Sequence, residues 1–261
     1  MSDDDIDLSK APLIEHLTEL RDRLIKTLIA MAVMFVICFY FADQIFNILV
    51  WPYQRAVGFD SELRLIYTHP AEFFFTQLKL SLFGALFLSF PVIAMQVYKF
   101  VAPGLYANER GAFIPFLMAT PILFILGGAL VYFIIMPLAM TFFLSLEQTG
   151  GTGQASIELV AKVSEYLSLI MTLLFAFGLC FQMPVVLTLL GRAGIVSSQG
   201  LKDKRKYAVV GTFAFAAVLT PPDPITQIGL AVPTLLLYEL SIFSVKMIEK
   251  KRAQAELATE D

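Results

Sequence analysis

The sequence predicts an all-α, polytopic membrane protein. It is read as one integral-membrane domain over residues 1–261, with six transmembrane helices in a curved, concave bundle and both termini in the cytoplasm. Three observations predict it. Of the 261 residues, 57% are hydrophobic and 16% charged, against roughly 45–50% and about 25% in soluble domains, and the mean hydropathy is +0.73. The apolar residues gather in six runs. The cations fall overwhelmingly on one side of those runs. A soluble core of this length could not hide 24 Phe while leaving so few charges to coat it. A net charge of −3 gives no global basic field, which excludes nucleic acid as the expected partner.

A bilayer core about 30 Å thick needs roughly 20 apolar residues per helix at about 1.5 Å rise each. Residues 10–23 come first. There Leu13, Leu17, Leu20 and Leu24 recur at helical spacing beneath a charged face, the pattern of an amphipathic helix at the inner interface. The spans follow at about 24–42, 73–101, 112–146, 166–190, 207–220 and 225–245, and residues 251–261 are expected to form a flexible cytoplasmic tail. The second and third spans would be about 43 and 52 Å long as helices and must tilt, bend or project. Pro91, Pro121, Pro137 and Pro184 supply bending points, because proline removes a backbone hydrogen bond and clashes with the preceding turn. The fifth span is only about 21 Å long and is tied to the sixth by Thr220-Pro221-Pro222-Asp223-Pro224. Long bent walls beside a short hairpin suggest a concave cup; a short span buried among its neighbours is the alternative.

Orientation follows from the loop cations, since cytoplasmic loops carry the excess of Lys and Arg. Of the 19 Lys and Arg, all but Arg55, Arg64, Lys79 and Lys162 fall on the side that holds both termini. Lys79 reads as a snorkelling side chain near the outer interface. The acidic start, Met1-Ser-Asp-Asp-Asp, precedes no short apolar segment with a cleavage site, so it reads as neither secretory signal nor transit peptide.

Nothing in the pattern calls for a metal, a cofactor or catalysis. Cys38 and Cys180 lie inside apolar runs and read as small core residues, and His16 and His69 are separated by the membrane. The run Gly150-Gly-Thr-Gly153 lacks the strand and helix of a phosphate loop. Trp51, Tyr53, Tyr98, Tyr106 and Tyr207 fall at expected interfaces, where aromatic rings anchor a chain.

Five polar positions ask for a reason. Glu19 and Arg23 stand four apart, which makes an ordinary ion pair; the functional reading of Glu19 is an acceptor for a cationic ligand. Glu109, with Arg110 as its ordinary partner, sits on the same side of the membrane. Two such carboxylates could clamp two guanidinium groups. Gln182 lies mid-span, where an amide needs an interhelical partner or a polar group from a partner helix. Asp223 reads as a helix cap before Pro224 at the first helical position. Glu239 is expected to be interfacial or paired with the charges around Lys246.

The stretch His16-Leu-Thr-Glu-Leu-Arg-Asp-Arg-Leu24, the loop Phe100-Val-Ala-Pro-Gly-Leu-Tyr-Ala-Asn-Glu-Arg110, the segment Phe177-Gly-Leu-Cys-Phe-Gln-Met-Pro-Val185 and the turn Leu219-Thr-Pro-Pro-Asp223 followed by Gln227 together resemble the TatC family, the multispanning core of the twin-arginine protein translocase. The resemblance covers about residues 13–250. It implies a receptor and scaffold rather than an enzyme, in the bacterial cytoplasmic (inner) membrane. Such a receptor recognises twin-arginine signal peptides and exports folded proteins at the expense of the proton gradient. It places the binding carboxylates at Glu19 and Glu109, with Arg21, Phe100, Pro103, Leu105 and Tyr106 shaping the site. It makes Gln182, Asp223 and Gln227 contacts for the single-span partners TatA and TatB. Other copies of the chain and membrane lipid complete the expected partners. Where the family often has Glu, this chain has Gln182, so no proton relay is expected there. The alternative class, a small-molecule secondary transporter, would show repeat symmetry and midplane charge, and neither is visible.

Overall fold

A computed structural model describes residues 3–59, 63–105, 114–148, 150, 155–220 and 223–260. The described residues are mostly helical. Helix α1 (Asp3–Tyr40) carries the amphipathic stretch into the first apolar run without a break. Helix α2 (Ala42–Val57) follows after one turn residue and closes at Gly58, whose φ of 101° suits glycine. Helix α3 (Glu72–Leu105) is continuous through Pro91. Helix α4 (Ile114–Leu130), a π segment (Val131–Ile135) and helix α5 (Met136–Leu144) form one interrupted rod. Helices α6 (Val163–Cys180) and α7 (Met183–Arg192) are divided at Phe181 and Gln182, just before Pro184. Then come α8 (Ser198–Asp203), α9 (Arg205–Leu219) and α10 (Pro224–Glu260).

Among the described residues, five stretches are long and apolar enough to cross a membrane: Ile14–Tyr40, Glu72–Phe100, Phe116–Leu144, Val163–Arg192 and Pro224–Arg252. Helix α9, with 15 residues, is shorter than an average bilayer requires. Helix α1 packs chiefly on α3 and leaves Leu28, Ile29, Val33 and Val36 exposed, the surface expected of a helix whose other neighbour is lipid. Elsewhere α2 packs on α5, α4 on α6, and α10 on both α7 and α9. The main core, with Leu80, Val131, Met136, Leu167, Ile170 and Phe177 fully or nearly fully buried, lies between α2, α3, α5 and α6. Cys38 and Cys180 are buried free thiols, as their setting suggested. Helices α4 and α6 approach so closely that a Cβ on Gly127 would come within 2.6 Å of the Phe177 carbonyl oxygen, the small-residue device of membrane helix packing.

Helix α2 is an element the sequence reading left as a connection. Its Pro52 looks like a breaker, yet the helix runs through it. Proline at 52 leaves the Ile48 carbonyl without its N–H partner, and the Tyr132 hydroxyl donates to that oxygen at 2.7 Å. The reverse holds across the same contact. Pro137 frees the Phe133 carbonyl, and Arg55 of α2 donates to it at 3.5 Å. Trp51 stacks on Tyr132 at 5.5 Å between centroids. Tyr53, expected to anchor at an interface, is instead buried at 1% exposure and stacks on Tyr166 at 5.3 Å, because it falls on the apolar face of α2 rather than in a loop.

Two short strands, β1 (Leu65–Ile66) and β2 (Ala161–Lys162), pair in parallel at one end of the bundle. Glu72 fastens them. Its carboxylate accepts hydrogen bonds from the Ser164 hydroxyl at 2.6 Å and from the Thr68 amide at 2.9 Å, and pairs with Lys162 at 3.4 Å.

Candidate functional site

The Glu19 carboxylate is set by helix geometry. Arg23, one turn on, donates from Nε at 3.0 Å and from Nη2 to the same oxygen, Glu19 Oε1. The second oxygen, Oε2, lies 3.9 Å from His16 Nδ1. Glu19 keeps 35% side-chain exposure. Arg21 does not join this group; its guanidinium donates to Asp22 at 2.9 Å and 3.0 Å. The His16 ring stacks on Phe100 of α3, centroids 4.3 Å apart with the planes 17° from parallel. Glu19 and Phe100 are thereby held within one helical turn of a common contact. Glu109 and Tyr106 lie outside the described residues, as do the side chains of Pro103 and Leu105, whose backbone belongs to α3.

A second group lies where α6 breaks. Gln182 Nε2 donates to the Thr120 carbonyl of α4 at 3.1 Å and to the Gly178 carbonyl at 3.3 Å. Its Oε1 is buried and has no hydrogen-bond partner among the described residues. The side chain lines a groove of about 540 Å³ between α6, α7, α9 and α10. Asp223 and Gln227 do not line that groove. Asp223 caps α10: it accepts from the Thr226 amide at 2.8 Å and from the Thr226 hydroxyl, and it is 5% exposed. Gln227 is half-buried on the first turn of α10.

Glu239 pairs with Arg205 at 2.5 Å, which corrects the expected pairing near Lys246. Seven residues along one helix is about 10 Å of rise, whereas Arg205 opens α9 directly beside α10. Sequence reasoning gave His16 no part in the site and did not single out Thr120. His16 stands within the first motif, three residues before Glu19, but its ring partner is 84 positions distant; Thr120 takes part through a backbone carbonyl, which no side-chain pattern reveals. Among the described residues, no cluster of three or more His, Cys, Asp or Glu could hold a metal ion.

Residues 15–233 match the family model described as Sec-independent protein translocase protein (TatC). The chain belongs to the TatC family. It is 49% identical over 251 residues to the Sec-independent protein translocase protein TatC of Magnetococcus marinus, covering 96% of this chain and 90% of that protein. It is 39% identical over 232 residues to the TatC of Escherichia coli strain K12, covering 89% and 87%. A crystal structure of a twin arginine translocase receptor, TatC, superposes with a TM-score of 0.77 at 40% identity, covering 90% of this chain and 99% of that one. This TatC-family chain is accordingly a multi-pass component of protein translocation in the bacterial inner membrane.

Proposed function

We propose that this chain is the receptor and scaffold subunit of a twin-arginine translocase, and not an enzyme. It captures twin-arginine signal peptides at the cytoplasmic face and recruits single-span TatA and TatB subunits, with further copies of itself and surrounding lipid completing the assembly. The proton-motive force drives the export of folded cargo. In this reading both termini are cytoplasmic, α9 serves as a short sixth crossing, and residues beyond about 251 extend into the cytoplasm.

The observation that carries the reading is the stack of His16 on Phe100. It joins the first motif to the last part of α3, and in the sequence residues 106–108 alone separate the end of that helix from Glu109. Glu19 supplies one carboxylate, with Oε1 engaged by Arg23 and Oε2 free of hydrogen bonds in the described contacts. A guanidinium is a planar fork of donors that fits a carboxylate face and never loses its charge. Arg21, Pro103, Leu105 and Tyr106 shape the same region in this proposal. The apolar stretch of the signal peptide lies along uncovered Leu and Phe, gaining about 25 cal/mol per Å² before ordering costs. Gln182, Asp223 and Gln227 serve partner helices, Asp223 by fixing where α10 begins.

The test is photo-crosslinking of a twin-arginine peptide to the full chain in membranes. Glu19→Ala and Glu109→Ala are each expected to reduce the yield while leaving the folded protein intact. Unchanged yields in both variants remove the site.

A further inference from the structure

The Glu19 carboxylate already has a cation on it. Arg23 places both Nε and Nη2 on a single oxygen, Glu19 Oε1. It is also the more sheltered partner, with 20% side-chain exposure against 35% for Glu19 and 66% for Arg21. Its guanidinium therefore lies down along the helix instead of sweeping through water. The other oxygen, Oε2, lies 3.9 Å from His16 Nδ1, beyond hydrogen-bonding distance. The charge of this stretch is balanced as well. Residues 15–26 hold three acids, Glu15, Glu19 and Asp22, and three fixed cations, Arg21, Arg23 and Lys26. The stretch exerts little long-range pull on a cationic ligand, so the local geometry at Glu19 decides what binds there.

An incoming cation meets a carboxylate with one oxygen in use and a like charge on its far side. A lysine ammonium is a compact, strongly hydrated point charge. It can accept the company of Oε2 alone, and the repulsion from Arg23 offsets what it gains there. A guanidinium is planar, forked and more weakly hydrated. It takes Oε2 with one N–H and brings a second to bear on Oε1, where it shares or displaces the Arg23 contact. Its delocalised charge and looser hydration also lower the cost of a second guanidinium close by. We propose that Arg23 is a specificity-determining residue, an internal competitor that keeps Glu19 neutralised and so rejects lysine while admitting arginine. A built-in repulsive element produces selectivity by weakening the wrong ligand more than the right one. The inference rests on Glu19 as the acceptor of a signal-peptide arginine and adds which residue enforces the choice.

The experiment titrates fluorescent signal peptides carrying Arg-Arg or Lys-Lys against the full chain in lipid nanodiscs and reads the ratio of the two affinities. In Arg23→Gln the dilysine peptide should bind about tenfold more tightly and the diarginine peptide by no more than about threefold, so that the ratio narrows. Arg23→Lys, which keeps a cation one turn from Glu19, should hold the ratio closer to that of the unaltered chain than Arg23→Gln does. In a Glu19→Gln background no carboxylate is left to compete for, and adding Arg23→Gln should leave the ratio where it stands. An unchanged ratio in Arg23→Gln, a loss of affinity for both peptides, equal ratios in Arg23→Gln and Arg23→Lys, or a shift that persists without Glu19 overturns the inference and leaves the arginine site standing. Failure of the unaltered chain to bind the diarginine peptide overturns both the inference and the reading of Glu19 beneath it.

Discussion

His16 of α1 lies flat against Phe100 of α3, with ring centroids 4.3 Å apart. This contact joins two motifs that are remote in sequence, and it does so one turn from the Glu19 carboxylate. Helix α1 packs chiefly on α3, and the stack is the contact between the two helices that lies beside its charged end. Stacked aromatic pairs contribute about 0.5–1.5 kcal/mol beyond the area they bury, enough to bias the position of an exposed helix end.

Removing the ring should therefore weaken recognition without touching a charge. Phe100→Ala is expected to lower twin-arginine peptide affinity by up to about tenfold, the equivalent of the stacking contribution, while Phe100→Tyr retains it. Titration of a fluorescent peptide against the purified chain measures the difference. Equal affinities for the Ala and Tyr variants would separate the stack from binding.

Charge and geometry can be told apart in the ligand. Replacing both arginines of the peptide with lysines preserves the charge but removes the planar fork. The affinity should fall for the lysine peptide even at low salt, and both peptides should bind less tightly as salt screens the contact. Glu19→Gln should narrow the gap between the two, because Arg gains more than Lys from a carboxylate. An undiminished gap in that variant would mean that another group reads the guanidinium.

The long apolar helices and the Glu19–Arg23 pair were legible in the sequence because each is a local pattern: an uninterrupted apolar run, or two opposite charges one turn apart. Asp223 was legible as a cap for the same reason. Helix α2 was not, since Pro52 signals a break and the group that compensates for it, Tyr132, is 80 residues on. The role of Gln182 was half legible. Its mid-span position showed that it needed a partner, but the partners are backbone carbonyls, one on its own helix and one brought by α4. For Glu239 the sequence offers an interfacial position or a pairing near Lys246; its actual partner, Arg205, depends on the contact between α9 and α10, which sequence proximity does not reveal.

Glu72 should act as a fastener rather than a ligand. Its carboxylate joins Thr68, Lys162 and Ser164, tying the segment before α3 to the segment before α6. Glu72→Ala should make residues 63–71 exchange amide hydrogens several-fold faster and become sensitive to protease. Ser164→Ala, which removes one of the contacts, should produce a smaller change. Protection equal to that of the unaltered chain would mean that the strand pair β1–β2 holds without it.

The exchange of hydrogen bonds between α2 and the π segment admits the most specific prediction. Tyr132→Phe leaves the Ile48 carbonyl unpaired, and the loss of a hydrogen bond of this kind costs about 1 kcal/mol; in a chain this size that corresponds to a Tm lower by about 2–4 °C. Pro52→Ala restores an N–H at position 52, which can reach the Ile48 oxygen along the helix. In that background the Tyr132 hydroxyl is no longer the carbonyl's principal donor, so Tyr132→Phe should cost measurably less. The double-mutant cycle, read by thermal unfolding in detergent, isolates the coupling between Pro52 and Tyr132 from the loss of Tyr132 packing against Trp51, which is common to both backgrounds. Strict additivity would show that the hydroxyl does not compensate for the proline, and that α2 tolerates Pro52 through its packing on α5 alone.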